Sequence, residues 1–248
     1  MEIDYTRKIT HANYHNPEAV RKYFHRVPKN IYEKPSTFDK GFKKVYLVLE
    51  DFLIETDLKD TRWVFIIMSI IPFSVVVVLF KNVWNRTSEY NFLFYSALLI
   101  ALFMVVYGLT MPKQEAILNR IDGLITFDGF LWQDNITMPF SEVEFCYSTG
   151  GEDLQGAFQL QIMRPNKWVT FAIPIFSGKD CYEGMSFITW YMDKNRPLPP
   201  GELFDPYREA DFQRRKAEGF PKPLYPSDIP TPEATPEQQA ERERIGKW

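Results

Sequence analysis

Trp63–Phe80 reads WVFIIMSIIPFSVVVVLF, and Tyr90–Met111 reads YNFLFYSALLIALFMVVYGLTM. Neither run carries a charged side chain, and only the short polar stretch KNVWNRTSE (Lys81–Glu89) separates them. At about 1.5 Å of rise per helical residue they span roughly 27 and 33 Å, enough to cross a hydrocarbon core of about 30 Å. A helix of a soluble core keeps a polar stripe for water, and neither run has one. The stretch therefore reads as a transmembrane helical hairpin. Pro72 removes one internal hydrogen bond from the first span, which predicts a kink there.

The ends of the runs fit the same picture. Trp63, Trp84, Tyr90 and Tyr107 stand at or near span ends, with Lys81 and Arg86 in the connecting loop, and these six are the expected membrane-interface residues. A two-span hairpin puts both termini on one side. Lys43, Lys44, Lys59, Arg62, Lys113 and Arg120 flank the spans on that side, against Lys81 and Arg86 on the other. This bias points to a multi-pass protein with cytoplasmic termini. The first run begins some sixty residues in, too late for a cleavable signal, so it is expected to persist as an internal anchor. Within the runs the polar residues are Ser69, Ser74, Asn91, Ser96 and Thr110, none ionisable, which argues against a pump or ion carrier.

Outside the hairpin the pattern shortens. Residues 1–42 form a polar segment with an amphipathic helix expected over 17–27, started by Asn16-Pro17 and carrying Val20, Tyr23, Phe24 and Val27 on one face. Residues 43–62 contain one strand, Lys43–Leu53, expected to join a sheet. Beyond the hairpin (63–111), residues 112–196 alternate short apolar segments with turn signals. Ala116–Asn119, Gly123–Phe127, Phe130–Gln133, Ile136–Phe140, Val143–Tyr147, Ala157–Met163 and Trp168–Ile173 are the expected strands. Ser177–Asp193 then changes to helical spacing through Cys181, Met185, Ile188 and Met192. A curved antiparallel sheet closed by one helix is the outline of a pleckstrin-homology-like domain. The fold class is thus an α+β membrane protein with the hairpin inserted beside that domain. Ten of the 18 prolines fall in Pro197–Pro236. Residues 197–248 therefore read as a proline-rich tail. Asp205 is expected to cap a helix ended by Gly219, residues 220–235 to run extended and poorly packed, and Thr235-Pro236-Glu237 to start a last helix.

Three stretches carry a resemblance: YLVLEDF (Tyr46–Phe52), ILNRIDGLITFDG (Ile117–Gly129) and FITWYMDKNRPLPP (Phe187–Pro200). They resemble the bacterial family of unknown function DUF6708, whose members look like membrane-hairpin proteins with a pleckstrin-homology-like fold, often associated with type VI secretion effector loci. The resemblance implies a split domain, in which the strand before the hairpin pairs into the sheet after it. It also implies a bacterial inner membrane. It transfers no functional residue.

Chemical signatures are sparse. The formal net charge of −3 gives no nucleic-acid footprint. Cys146 and Cys181 are read as buried, reduced thiols, without metal-ligand spacing. His11 and His15 are four apart, yet lack the glutamate of a helical zinc motif, and His25 stands alone. Gly150-Gly151 lacks the lysine of a phosphate loop, and Glu142, Glu144, Glu152 and Asp153 read as solvated carboxylates. Asn85-Arg86-Thr87 and Asn135-Ile136-Thr137 match glycosylation acceptors that arise often by chance. No catalytic, metal or cofactor set is assigned. The expected function is a non-catalytic, membrane-anchored protein-binding module, an immunity or accessory protein for a type VI effector if the resemblance holds. Its partners would be the lipid bilayer, another protein, no nucleic acid, and in some settings a second copy of the chain. Trp132, Trp168 and Trp190 are the aromatic candidates for an interface, each equally suited to a core. The proline-rich tail offers an extended docking segment. The alternatives are an anionic-lipid sensor, for which one loop offers Arg164 and Lys167, and a transporter component.

Overall fold

The computed structural model describes residues 7–21, 25–35, 47–49, 53–57, 61–84, 90–148, 158–167, 170–174 and 180–248. The element order is α1 (Pro17–Arg21), β1 (Leu47–Leu49), β2 (Leu53–Asp57), α2 (Thr61–Met68), α3 (Ile70–Trp84), α4 (Asn91–Thr110), β3 (Glu115–Asn119), β4 (Leu124–Phe127), β5 (Ile136–Pro139), β6 (Phe145–Tyr147), β7 (Leu160–Met163), β8 (Phe171–Ala172), α5 (Cys181–Met192), α6 (Asp205–Ala217) and α7 (Pro236–Gly246). The chain divides into two compact units. One comprises residues 1–57, 115–128 and 135–248, and the other 58–114 with 129–134.

The larger unit is α+β. Five antiparallel strands run in the order β1-β2-β3-β4-β5, and three more in the order β6-β7-β8. β2, before the hairpin, pairs with β3, after it, from Leu53↔Asn119 to Asp57↔Glu115. The sheet is therefore continuous across an insertion of nearly sixty residues, as the resemblance implied. Thr126 and Thr137 face each other across β4 and β5 and share a 2.9 Å hydroxyl hydrogen bond.

The N-terminal segment covers strand edges that would otherwise expose unpaired backbone. The amides of Thr10 and His11 donate to Thr137 O at the edge of β5, and Val27 N donates to Phe145 O at the edge of β6. The Tyr14 hydroxyl donates to Met163 O at 2.9 Å and accepts from Glu144 N at 2.8 Å. α5 lies over the sheets with Met185, Phe187, Ile188 and Tyr191 in the shared apolar core. Asp180 caps it by accepting from the amides of Tyr182 and Glu183.

Several expectations are corrected. One strand expected over 43–53 is two, β1 and β2, paired as a hairpin. The helix expected over 17–27 does not reach its end. Arg26 pairs with Cys146 in an isolated bridge, because the open edge of β6 recruits the backbone there. Tyr23, Phe24, Lys43 and Lys44 lie outside the described residues. Phe130–Gln133 is a turn, with Leu131 at a φ of 54° that no strand permits. Asp205 is the first residue of α6 rather than its cap, and its carboxylate pairs instead with Arg208 at 2.8 Å. Thr235 does cap α7, accepting from Gln238 N.

The largest correction concerns residues 220–235. They carry no helix or strand, yet they are not poorly packed, since Phe220, Thr231 and Glu233 are buried. Backbone groups along the stretch are claimed by buried side chains. Arg196 donates to Tyr225 O, Asn195 to Lys222 O, and Asp193 accepts from the amides of Leu224 and Tyr225. The tail is part of the folded unit, so the expected extended docking segment is not available in it.

The smaller unit contains two helical spans, Arg62–Lys81 and Asn91–Thr110, each long and apolar enough to cross a membrane. The first is interrupted at Ser69, where α2 ends and α3 begins. Pro72 is the cause: it cannot donate to Met68 O, and the turn opens one residue beyond that carbonyl. The Ser69 hydroxyl turns back to Ile66 O at 2.6 Å.

Candidate functional site

In the helical unit, apolar side chains face outward. Val64, Ile67, Ile70, Ile71, Phe73, Val77, Val78, Phe92, Leu99, Leu102 and Leu109 are all exposed. Only 17% and 28% of the two apolar windows are buried, whereas a soluble core helix of this composition would be mostly covered. The intra-span hydroxyls are satisfied locally. Ser74 donates to Ile71 O, Ser96 to Leu93 O and Thr110 to Val106 O, each within its own helix. Such groups are spent on backbone and do not line a polar path.

The two spans touch closely at one end. A Cβ on Gly108 would lie 2.8 Å from Ile66 Cγ1 and 3.1 Å from Arg62 O, so any larger residue here makes Ile66 and its helix give way. The Arg62 guanidinium donates to Met111 O at 3.1 Å, using the first residue of one span to cap the last carbonyls of the other. Of the expected interface residues, Trp63, Lys81, Trp84 and Tyr90 are exposed at the span ends. Arg86 lies outside the described residues. Tyr107 is corrected: at 4% exposure it is internal, edge-on to Phe65 at 4.8 Å and to Trp132 at 5.2 Å. The loop 129–134 completes this end, with Trp132 Nε1 donating to Thr110 Oγ1 at 2.8 Å.

The larger unit buries charge instead. Asp211 accepts from three guanidiniums, Arg120 at 3.4 Å, Arg214 at 3.0 Å and Arg215 at 2.9 Å. Arg215 also makes two parallel 2.8 Å hydrogen bonds to Glu233, which in turn accepts from Arg242 at 3.2 Å. Arg196 binds Asp193 at 3.1 Å and the Thr231 hydroxyl at 3.1 Å. Cations outnumber carboxylates here, and carbonyls supply the remaining acceptors: Arg120 donates to Trp190 O, Tyr191 O and Arg196 O. Trp190 and Tyr191 close the C-terminal turn of α5, so Arg120 satisfies orphan carbonyls at the negative end of a helix. Burial works against the Arg120 charge and lowers its pKa, while Asp211 supports it. Burial also opposes the Arg215 charge, but hydrogen bonds to Glu233 and Asp211 outweigh it, and its pKa is raised. Arg120, a membrane-flanking charge by its position in the sequence, is fully buried in this core.

Trp190 is a core residue, its Nε1 donating to Pro197 O at 2.8 Å, and Trp168 lies outside the described residues. Arg164 is buried and committed to Asp128 and to Phe171 O, which leaves Lys167 alone for an anionic headgroup. Glu144 is paired with Arg26, and Glu142 is exposed; Glu152, Asp153, Gly150-Gly151 and Asn85-Arg86-Thr87 lie outside the described residues. His11 and His15 are exposed, and His25 packs on Tyr147. Cys146 and Cys181 are free and buried. Among the described residues no three His, Cys, Asp or Glu side chains gather as a metal site. A shallow depression beside Leu198, Arg208, Arg215, Glu233 and Gln238 has no internal volume for a ligand.

The charged inner core had only a faint signal in the sequence. The arginines are spread from 120 to 242, and nothing in their spacing announces that they converge. No family model, curated protein or solved structure matches the chain.

Proposed function

We propose that this chain is a membrane-anchored, non-catalytic protein-binding protein. The hairpin crosses the bilayer, and a pleckstrin-homology-like module built around the interrupted sheet carries the binding surface. One observation supports it most: two spans of bilayer length whose apolar side chains are exposed rather than buried. The order of the larger unit, two antiparallel sheets and then α5, suits a pleckstrin-homology-like module. The family resemblance supplies the setting, a bacterial inner membrane with both termini cytoplasmic. There the role is immunity toward, or accessory handling of, a type VI secretion effector by stoichiometric binding. The binding surface belongs to the folded unit, since the proline-rich tail is held by internal contacts.

Membrane fractionation followed by co-purification in mild detergent tests both halves. The chain stays in the pellet after alkaline carbonate washing and is released by detergent, with a stoichiometric protein partner identified by mass spectrometry. Recovery in the carbonate supernatant would overturn the anchor. Detergent-soluble chain that repeatedly emerges with no partner would overturn the binding role. The lipid-sensor alternative loses support because Arg164 is committed internally.

A further inference from the structure

Loop 129–134 reads GFLWQD and is an expensive piece of chain. A Cβ on Gly129 would lie 2.3 Å from Asp134 O and 2.6 Å from Gln133 O, so the loop closes on itself too tightly for any residue but glycine. Leu131 sits at a φ of 54°, a left-handed conformation that a leucine does not favour. The result of that strain is to present two aromatic rings. Phe130 is 37% and Trp132 46% exposed. The exposure is not for want of packing partners. Trp132 stands edge-on to Tyr107 and to Phe103, at 5.2 and 5.8 Å. Its N–H is satisfied on Thr110, so the remaining free face of the indole is apolar.

The level of the loop along the hairpin is fixed by the same contacts. Thr110 is the last residue of α4, and the Arg62–Met111 hydrogen bond sets the start of the first span beside it. Trp63 follows Arg62 and is exposed, as is Lys113 beyond Met111. As one unbroken helix at 1.5 Å per residue, the stretch from Trp63 to Trp84 would span about 31 Å, close to the hydrocarbon thickness of about 30 Å. One end of the hairpin thus carries Trp63, Phe130 and Trp132 with Arg62 and Lys113. Amphipathic aromatics and cations at one level are the composition of a headgroup boundary.

We infer that the Gly129–Asp134 loop is a third membrane contact, with Phe130 and the free face of Trp132 seated among lipid headgroups and upper acyl chains at the Arg62 end of the hairpin. This rests on the hairpin being membrane-spanning. It extends the lipid-facing surface of α4 onto the loop that connects β4 to β5 in sequence.

Phe130→Cys and Leu99→Cys in the full chain, labelled with an environment-sensitive fluorophore, read the two claims separately. Cys146 and Cys181 are buried, and burial raises both thiols, so the introduced cysteine is the one that reacts. Each protein is reconstituted into phosphatidylcholine–phosphatidylglycerol vesicles brominated either near the headgroup or near the chain end. The expected result is deep quenching for Leu99→Cys and shallow quenching for Phe130→Cys. Deep quenching at Leu99 with water-like, unquenched emission at Phe130 would overturn the loop contact and leave the hairpin standing. Blue-shifted but unquenched emission at Phe130 would mean that protein, such as a second copy, covers the loop, and would overturn it equally. Loss of quenching at both sites would remove the hairpin and the inference together.

Discussion

The two units solve the same problem with opposite distributions of polarity. In the helical unit, apolar side chains cover the outside, and hydroxyls such as Ser69 and Ser74 are folded back on their own helix. In the larger unit, aliphatic and aromatic side chains fill one core, while five arginines and three carboxylates are drawn into a second, ionic one. On the proposed membrane reading, the difference follows from the solvent each surface is built for. A helix surface in lipid gains nothing from exposed charge, whereas a domain in water can take charge inside when opposite charges and carbonyls pair most of its donors. Arg120 is held by three carbonyls and by Asp211, with only its Nε unpaired, and Glu233 accepts from two guanidiniums.

The largest effect comes from breaking the ionic core. Glu233→Ala leaves Arg242 with only Thr231 O and the Trp248 ring, and takes from Arg215 its paired acceptor. Removing one partner of a buried pair costs about 3–5 kcal/mol. Denaturant unfolding of the detergent-solubilised chain should show that loss, together with faster proteolysis between residues 220 and 235. An unchanged midpoint would mean that the network is not what holds the tail.

Next in size is a charge placed on each surface in turn. Leu99 and Leu224 are both exposed leucines, one mid-span in α4 and one in the larger unit. Leu99→Arg should cost about 2.5–3.5 kcal/mol of insertion free energy and shift the chain from the carbonate-resistant pellet to the supernatant. Leu224→Arg should alter stability by no more than about 0.5 kcal/mol. Equal, negligible effects at both sites would erase the distinction between the two surfaces. A smaller effect comes from Gly108→Val, which thrusts branched carbons at Ile66 and the Arg62 carbonyl. Overpacking of that kind costs about 1–3 kcal/mol, read as a lower dodecyl sulfate midpoint for the hairpin, with Gly108→Ala milder.

The same contrast accounts for what could be read in advance. The two long apolar helices were legible because their signal is local in sequence, the uninterrupted absence of charge in Trp63–Phe80 and Tyr90–Met111. The strands were mostly legible because short apolar segments were set off by turns. Phe130–Gln133 failed as a strand because its aromatic content mimics one, while the deciding facts, the left-handed Leu131 and the closure on Gly129, are conformational. The tail failed for a different reason. Proline-rich composition does favour an extended chain, and residues 220–235 do lack helix and strand. What reverses the packing is Asp193, Arg196 and Arg215, residues distant in sequence whose side chains reach for the tail's backbone and for Glu233. Complementary buried charges have no periodicity, so no spacing rule could have paired them.

The smallest effect is the one that titration reveals at the alkaline end, in the larger unit. Burial pushes the Cys146 thiol from 9.0 up to about 12. Between those values the unfolded chain has released this proton and the folded chain has not, so stability falls as pH rises from 9 toward 12. Tyr225, pushed from 10.0 to about 12 by burial, adds to the fall above pH 10. Lys29 acts in the opposite sense. Burial lowers it from 10.5 to about 8, despite Glu144 and Glu142, so from pH 8 to 10.5 the unfolded chain holds the extra proton and stability rises. The wild-type denaturation midpoint should therefore rise slightly between pH 8 and 9 and fall above 10.5. Cys146→Ala should soften the fall, and Lys29→Met should abolish the rise while leaving the fall intact. If Cys146→Ala falls as steeply as wild type, the thiol is not sealed from water in solution, and the apolar core around β6 and β7 is looser than its packing implies.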